Sequence, residues 1–142
     1  MAYIRAANPA DAAGLVDVFA ELGHPANAAQ LAARLARLAS DDTYEAWVAV
    51  DADVPVGFAA AHLLYPVADD TPAAQLIALV VSTHARGSRF GSDLCAAFEV
   101  WAMERGALRA VVTSGSHRLR AHRFYERSGY ERSGLRFGKK LR

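Results

Sequence analysis

The chain has 142 residues, of which 53% are apolar, and its formal net charge is +1. This length fits one domain that buries its own core, so we expect a single domain over residues 1–142. No apolar run approaches the roughly 20 residues that span a bilayer, and the first residues lack the basic-then-apolar order of a secretion signal. We therefore expect a cytoplasmic protein without a membrane-spanning segment.

Cysteine usage excludes two common ways of stabilising a small domain. Cys95 is the only cysteine, so an intrachain disulfide and a four-cysteine zinc site are both excluded. The apolar neighbours of Cys95 predict that it belongs to the core. His117 and His122 do not form a recognisable metal motif, and we expect no metal site.

Charge is distributed unevenly along the chain. Three basic and ten acidic residues precede position 86, whereas thirteen basic and five acidic residues follow from Arg86 onward. An arginine-rich half favours an anionic ligand, because the guanidinium group suits phosphate. A solvated surface and a nucleic-acid partner explain the same asymmetry equally well, so a motif is needed to decide.

The pattern predicts a short first strand at residues 3–6 followed by two helices. Asn8 and Asn27 are typical N-cap residues, and Gly23 can end the first helix. Both helices repeat apolar residues at helical spacing: Leu15, Val18, Phe19 and Leu22 in the first, and Leu31, Leu35 and Leu38 in the second.

Three apolar runs rich in strand-forming residues come next. Residues 45–50 and 54–64 predict an antiparallel hairpin, since only a short polar turn separates them. Residues 75–81 form a nearly continuous apolar run, which is typical of a central strand.

The C-terminal half predicts alternating helices and strands. Residues 88–105 have helical spacing and are followed by Gly106 as the stop, and residues 119–127 predict a fourth helix that ends at Gly129. Strands are expected at residues 108–113 and 130–141. The predicted order is β-α-α-β-β-β-α-β-α-β, which indicates an α/β (α+β) domain whose mixed sheet has helices on its faces.

One strand-to-helix junction has the features of an anion site. The segment from Val80 to Ser92 runs from a strand, through a tight turn, into a helix. A helix N-terminus presents unpaired N–H groups, and glycine lets a pyrophosphate approach the backbone. The Walker loop and the three-glycine dinucleotide motif are both absent. The residues that we expect to bind the anion are Val80, Val81, Arg86, Gly87, Ser88, Arg89, Phe90, Gly91 and Ser92.

This loop resembles the fingerprint of the GNAT acetyltransferases, Arg/Gln-x-x-Gly-x-Gly/Ala, which follows the fourth strand of that fold. Arg89 departs from the pattern, because it replaces the first glycine of the motif. A second stretch, residues 121–130, is similar to the family hallmark Ala-x-x-Phe-Tyr-x-x-x-Gly-Phe/Tyr. Residues 80–141 are similar to the aminoalkylphosphonate N-acetyltransferases in particular.

The resemblance implies a mostly antiparallel sheet and the transfer of acetyl from acetyl-coenzyme A to an amine of a small molecule. It implies that the thioester lies where the fourth and fifth strands separate, with the backbone N–H near Val81 polarising the acetyl carbonyl. Tyr125 matches the tyrosine that protonates the departing thiolate and also contacts the coenzyme. Relatives often pair through their C-terminal strands, which leaves a homodimer open.

The sequence leaves the general base open among four side chains, Glu45, His62, His84 and His117. Arg118 and Arg120 are candidates for binding a phosphate or phosphonate. The acidic pairs at residues 41–42 and 69–70 are candidates for attracting a cationic amine, although a solvated loop charge is the commoner role.

Two other functions compete with catalysis. A noncatalytic, regulatory acetyl-coenzyme A binder would account for Arg89 and for the missing glutamate on the fourth strand. Nucleic-acid binding through the arginines of residues 117–127 is a second alternative, which the acidic residues and the coenzyme loop disfavour.

Overall fold

The computed structural model describes residues 1–114 and 118–142. Within these residues the strands are β1 (Ala2–Ala6), β2 (Tyr44–Asp51), β3 (Val54–Leu64), β4 (Ala73–Val81) and β5 (Arg109–Val112). The helices are α1 (Ala12–Leu22), α2 (Ala28–Ala39), α3 (Phe90–Glu104) and α4 (Leu119–Arg127).

The helix ends follow from the residues that the sequence places there. Asn27 caps α2 in a reciprocal capping box with Gln30, which satisfies N–H groups that the helix itself leaves unpaired. Gly23 ends α1 in the left-handed conformation at a φ of 91°. Asn8 caps a 3-10 turn at Pro9–Asp11 that leads directly into α1.

The sheet has the strand order β1-β2-β3-β4-β5. The first four strands are antiparallel to their neighbours, and β5 is parallel to β4. This mixed, mostly antiparallel sheet with helices on both faces confirms the predicted fold class. The central strands carry long buried runs because helices cover both of their faces.

Each face of the sheet has its own apolar core. Helices α1 and α2 pack on one face, where Leu15 and Leu31 are fully buried. Helix α3 packs on the other face through Leu94 and Phe98, each with 0% exposure. Burial of such a side chain contributes about 1.5–3 kcal/mol, so these contacts fix the positions of the strand ends.

The final strand that the sequence predicts at residues 130–141 is not formed, and that prediction is wrong. The described residues 128–142 contain neither helix nor strand, so the confirmed order ends at α4. The alternating apolar residues of this segment stay exposed, with Leu135 at 85%, Phe137 at 89% and Leu141 at 87%. Alternation makes a segment suitable for a sheet, but a strand also needs a neighbour that accepts its backbone hydrogen bonds.

No described helix is long and apolar enough to cross a membrane.

Candidate active site

The sheet opens between β4 and β5. The two strands pair over only four positions, from Ala73 with Arg109 to Leu76 with Val112. A register shift against β3 follows at once, since Ala61 pairs with Leu76 while Ala60 pairs with Ala78. In the described part of the chain, the last five residues of β4 therefore have no strand beside them on the β5 side.

Backbone N–H groups of β4 point into this gap. The Ser82 N–H donates to the Val56 carbonyl of β3 at 2.7 Å, so the N–H and C=O groups of Val81 point away from β3. By the same alternation the N–H of Leu79 also points away from β3. Sequence reasoning predicted the group near Val81 but missed Leu79, because the direction of a backbone N–H depends on strand register and leaves no trace in composition.

The predicted anion loop connects this gap to α3. Gly87 has a φ of 88°, a conformation that side chains other than glycine adopt at a cost. Arg86, Ser88 and Arg89 are exposed. The Arg86 side chain turns back, and its Nε donates to the Val81 carbonyl at 3.3 Å.

The N-terminus of α3 is open. Arg89 occupies the N-cap position without a capping hydrogen bond from its side chain, and Ser88 Oγ reaches the Phe90 N–H only at 3.4 Å. The first turn, which includes Gly91 and Ser92, therefore presents N–H groups and the positive end of the helix dipole. These are the properties of an anion-binding helix terminus.

Gly91 lies where the three elements of the site meet. A methyl group at this position would lie 3.5 Å from the Phe124 ring of α4 and 3.9 Å from a Val81 methyl of β4. The end of β4, the start of α3 and the middle of α4 are thus in contact. The two sequence motifs, although separated along the chain, therefore lie side by side.

Tyr125 follows Phe124 on α4 and packs against the core on the α3 face. Burial raises the pKa of the Tyr125 hydroxyl, whereas the positive charge of Arg118 lowers it to a lesser extent. Among residues 1–114 and 118–142 its hydroxyl has no hydrogen-bond partner. Tyr125 is therefore a protonated donor at neutral pH, and its proton is not committed to a described neighbour.

A second contact, which the sequence did not predict, attaches the end of α4 to α3. The Tyr130 hydroxyl donates to Glu99 Oε2 at 2.7 Å, and Cys95 Sγ lies 3.6 Å from the same oxygen. Burial raises the pKa of Tyr130, and it raises the pKa of the Cys95 thiol to about 11. Because α4 has no fully buried residue, this link is an important anchor for the helix that carries Tyr125.

Two of the four candidate bases, Glu45 and His62, lie away from Val81. His62 stacks on Tyr44 with 4.2 Å between ring centroids, and it pairs with Gln75 at the far end of β4. Six residues of strand, roughly 20 Å, separate Gln75 from Val81. Glu45 accepts from the backbone N–H of Ala46.

His84 lies exposed in the anion loop, whereas His117 falls outside the described residues.

The acidic pairs have local partners. Asp41 accepts hydrogen bonds from the backbone N–H and the hydroxyl of Thr43. Asp69 does the same with Thr71. Both carboxylates thus stabilise their own turns, which is the commoner role of an acidic residue in a loop. Arg118 and Arg120 are exposed at the start of α4.

Comparison with known proteins agrees with this geometry. Residues 15–130 match the family model described as "Acetyltransferase (GNAT) family". Over 86 residues the chain is 35% identical to the aminoalkylphosphonate N-acetyltransferase of Salmonella typhimurium. That match covers 61% of this chain and 56% of the relative, so the chain spans little more than half the length of this curated relative.

Solved structures share the fold along nearly the whole chain. A GNAT family acetyltransferase from Staphylococcus aureus superposes with a TM-score of 0.85 at 20% identity, over 99% of this chain and 98% of the other. A transcriptional regulator from Bacillus halodurans gives 0.86 at 23% identity, over 98% and 100%. At these identities the likeness shows the fold alone. The family model, which covers most of the chain, shows that this protein belongs to the GNAT acetyltransferase family, a family of acyl-transfer enzymes.

Proposed function

We propose that this protein transfers the acetyl group of acetyl-coenzyme A to a primary amine of a small molecule. The observation that carries the proposal is the gap between β4 and β5, which leads from inward-facing backbone N–H groups to the open N-terminus of α3. Acetyl-coenzyme A supplies an activated acetyl group as a thioester. Its elongated shape, with an anionic pyrophosphate in the middle, suits a slot that ends at a helix N-terminus.

The anion loop binds the pyrophosphate in this proposal. Gly87, Phe90, Gly91 and Ser92 offer backbone N–H groups at the start of α3, and Arg86 and Arg89 add positive charge. Ser88 lies between them, and its own N–H donates to the Ala85 carbonyl. Arg89 occupies the position at which the family has glycine, and its side chain keeps the pyrophosphate farther from the backbone. Its exposed guanidinium compensates by binding the anion itself. Val80 belongs to the binding strand, but its own N–H is directed to β3.

The N–H groups of Leu79 and Val81 stabilise negative charge on the acetyl oxygen as the amine attacks. They are held by the β3–β4 ladder, so they need no reorganisation during the reaction. Loss of one such donor in acyl-transfer sites costs about 3 kcal/mol. Two donors on one strand are about 7 Å apart, so only one of them can contact the reacting oxygen and the other is available to the coenzyme arm.

Tyr125 donates the proton that the departing thiolate requires. Its raised pKa keeps the hydroxyl protonated at neutral pH, and no described residue competes for the proton. Phe124 lies beside Gly91, and the Tyr125 and Tyr130 rings pack with 6.0 Å between their centroids, so these contacts support the orientation of α4.

An aminoalkylphosphonate is the first acceptor to test. The relative from Salmonella typhimurium is named for that substrate class, and the exposed Arg118 and Arg120 provide guanidinium groups that suit a phosphonate. A retained transfer reaction, in preference to a coenzyme-binding regulator, is supported by Tyr125, whose hydroxyl is kept protonated and has no hydrogen-bond partner among the described residues.

The test is the rate of thiol release from acetyl-coenzyme A with a panel of primary amines that includes aminoalkylphosphonates. We compare wild type with Tyr125→Phe, and use Tyr65→Phe as the matched control, because Tyr65 is 63% exposed. Tyr125→Phe should lower kcat by roughly 100-fold or more, with a much smaller effect on coenzyme affinity, whereas the control should behave as wild type. Saturable coenzyme binding without turnover on any amine would favour the regulatory alternative, and absence of coenzyme binding would refute the proposal.

We also propose that two copies pair through their C-terminal segments. The outer edge of β5 is unpaired in the described structure, and beside it lies a groove of about 510 Å³ lined partly by Ala102, Met103 and Ala110. An unpaired edge accepts a further strand, and residues 135–141 of a second copy offer an alternating apolar face for it. Light scattering should give a dimer for wild type and a monomer for Phe137→Glu. A wild-type monomer would refute this pairing.

A further inference from the structure

A side chain from the N-terminal half of the protein holds the anion loop. Glu21, in the last turn of α1, accepts two hydrogen bonds from Thr83: one from the backbone N–H at 3.0 Å and one from the hydroxyl at 2.8 Å. The two residues are 62 positions apart in sequence. This contact therefore joins the helix layer over one face of the sheet to the start of the loop that follows β4.

The position of Glu21 is unfavourable for α1 itself. A carboxylate near the C-terminus of a helix faces the negative end of the helix dipole, and the last turn of α1 contains no basic residue to offset it. The two bonds from Thr83 account for its presence there. The hydroxyl of Thr83 is the main cause that lowers the pKa of Glu21, followed by smaller contributions from the Thr83 N–H, Arg86 and His84.

The rest of the loop is held mostly by bonds within itself. Among the described residues, the N–H of Ala85 donates to the Ser82 carbonyl, that of Arg86 to the Thr83 carbonyl, and that of Ser88 to the Ala85 carbonyl. Such short turns fix the shape of a loop but not its position on the protein. Among the described residues, the bond from Ser82 to β3 and the two bonds from Thr83 to Glu21 are the long-range hydrogen bonds of this segment, and Ala85 adds packing against the core on the α3 face.

We infer that Glu21 is a positioning residue for the coenzyme loop. The Arg86 N–H donates to the Thr83 carbonyl at 3.3 Å, so fixing Thr83 also fixes the turn that presents Arg86 and Gly87. This inference rests on the proposed function, in which that loop binds the pyrophosphate of acetyl-coenzyme A. Glu21 acts through Thr83 and does not touch the coenzyme.

A role of Glu21 through its charge and a role through its position predict opposite changes in coenzyme affinity when the side chain is removed. A carboxylate close to a pyrophosphate repels it, so removal of the charge alone should tighten coenzyme binding. Removal of an anchor should weaken binding, because the free loop must then be ordered when the ligand arrives. The sign of the change in Kd therefore distinguishes the two roles.

The experiment measures the Kd of coenzyme A by calorimetry, together with the Tm, for wild type and three variants. Glu21→Ala removes the anchor and should raise Kd about 3- to 10-fold. Glu21→Gln removes the charge but keeps an acceptor for the Thr83 N–H and a donor for its hydroxyl, and it should restore most of the affinity. Asp17→Ala is the control, because Asp17 is an exposed acid one turn earlier on α1.

The same comparison is repeated at Thr83. Thr83→Val keeps the shape but loses the hydroxyl and should weaken coenzyme binding, whereas Thr83→Ser keeps the hydroxyl and should bind as wild type does. In the double variant Glu21→Ala with Thr83→Val, the loss should be smaller than the product of the two single losses.

Several results would overturn the inference. Tighter binding in Glu21→Ala would show that charge outweighs positioning. An unchanged Kd, with or without a lower Tm, would show that the contact serves the fold alone. If wild type and Glu21→Ala bind coenzyme A equally well, this inference is refuted and the proposed function stands. If wild type does not bind coenzyme A, both are refuted.

Discussion

Gly87 and Gly91 belong to the same motif, but substitution to alanine should affect them in opposite ways. Gly87 has a φ of 88°, and a Cβ there would meet no atom within 4 Å, so the cost of Gly87→Ala is the backbone conformation alone. That cost is about 1–2 kcal/mol for a residue with a side chain. If the loop relieves the strain by leaving this conformation, coenzyme affinity falls by up to about 5- to 30-fold, since 1.4 kcal/mol is a factor of ten.

Gly91 lies in the first turn of α3 and has no positive φ. Its added methyl group would stand 3.5 Å from Phe124, which is an ordinary van der Waals distance. Alanine is also the better helix former, by about 0.8–1 kcal/mol in a helix interior and less in a first turn. We therefore expect Gly91→Ala to have a Tm equal to or above that of wild type, with coenzyme affinity within about 2-fold.

Titration calorimetry with coenzyme A gives the affinities, and thermal unfolding gives the stabilities. Equal loss of affinity in both variants would refute this reasoning, because it would mean that both glycines are needed for close approach of the ligand and not for backbone conformation. An unchanged Kd in Gly87→Ala would show that the loop does not need its left-handed turn to bind.

Three further predictions concern groups around the site and the N-terminal helix. Tyr130→Phe removes the donor to Glu99 and should lower the free energy of unfolding by about 1.5–3 kcal/mol in urea titrations. A loss below about 0.5 kcal/mol, roughly the scatter of surface variants, would show that this hydrogen bond does not anchor the end of α4. Cys95, with a pKa of about 11, should react with iodoacetamide at pH 7.5 only after unfolding, and rapid labelling of the folded protein would contradict its burial. The ion pair with Arg5 lowers the pKa of Asp11 and so stabilises the folded protein. The difference in unfolding free energy between wild type and Asp11→Asn should therefore be complete above about pH 4 and disappear as the pH falls through the lowered pKa. A difference that persists in acid would show that the ion pair is not its cause.

Most of the fold was predictable because its signals are local. The capping residue Asn27 and the stop at Gly23 act within a turn of their helices, and the structure confirms both. The strand expected at residues 130–141 has an equally clear local pattern, yet it does not form. Whether an alternating segment becomes a strand depends on a partner elsewhere, and periodicity carries no information about that partner.

The residues of the candidate site also differ in whether a local sequence pattern reveals them. The loop from Arg86 to Gly91 could be predicted as an anion site because binding of an anion by a helix N-terminus needs a fixed run of residue types. Leu79 was not found, because any residue has a backbone N–H and only the register of β4 against β3 and β5 directs it into the gap. Glu21 was not found either, since an exposed acid at a helix end is indistinguishable from an ordinary surface charge.

Glu21 shares one property with Glu99, the partner of Tyr130: each holds another part of the candidate site in place through a hydrogen bond. Residues that contact a ligand must supply a particular chemistry, so their types are constrained and form a motif. Residues that position them need only a hydrogen bond of suitable length from a nearby element, as Glu21 supplies to Thr83 and Glu99 to Tyr130. Both of these acids extend from well-packed helices to weakly packed parts of the site: α1 to the exposed loop, and α3 to the end of α4. One carboxylate from each helix layer thus adds a hydrogen-bonded link to the site: Glu21 to the loop, and Glu99 to Tyr130, which follows the helix that carries Tyr125. Loss of either should therefore reduce ligand binding or turnover before it unfolds the protein.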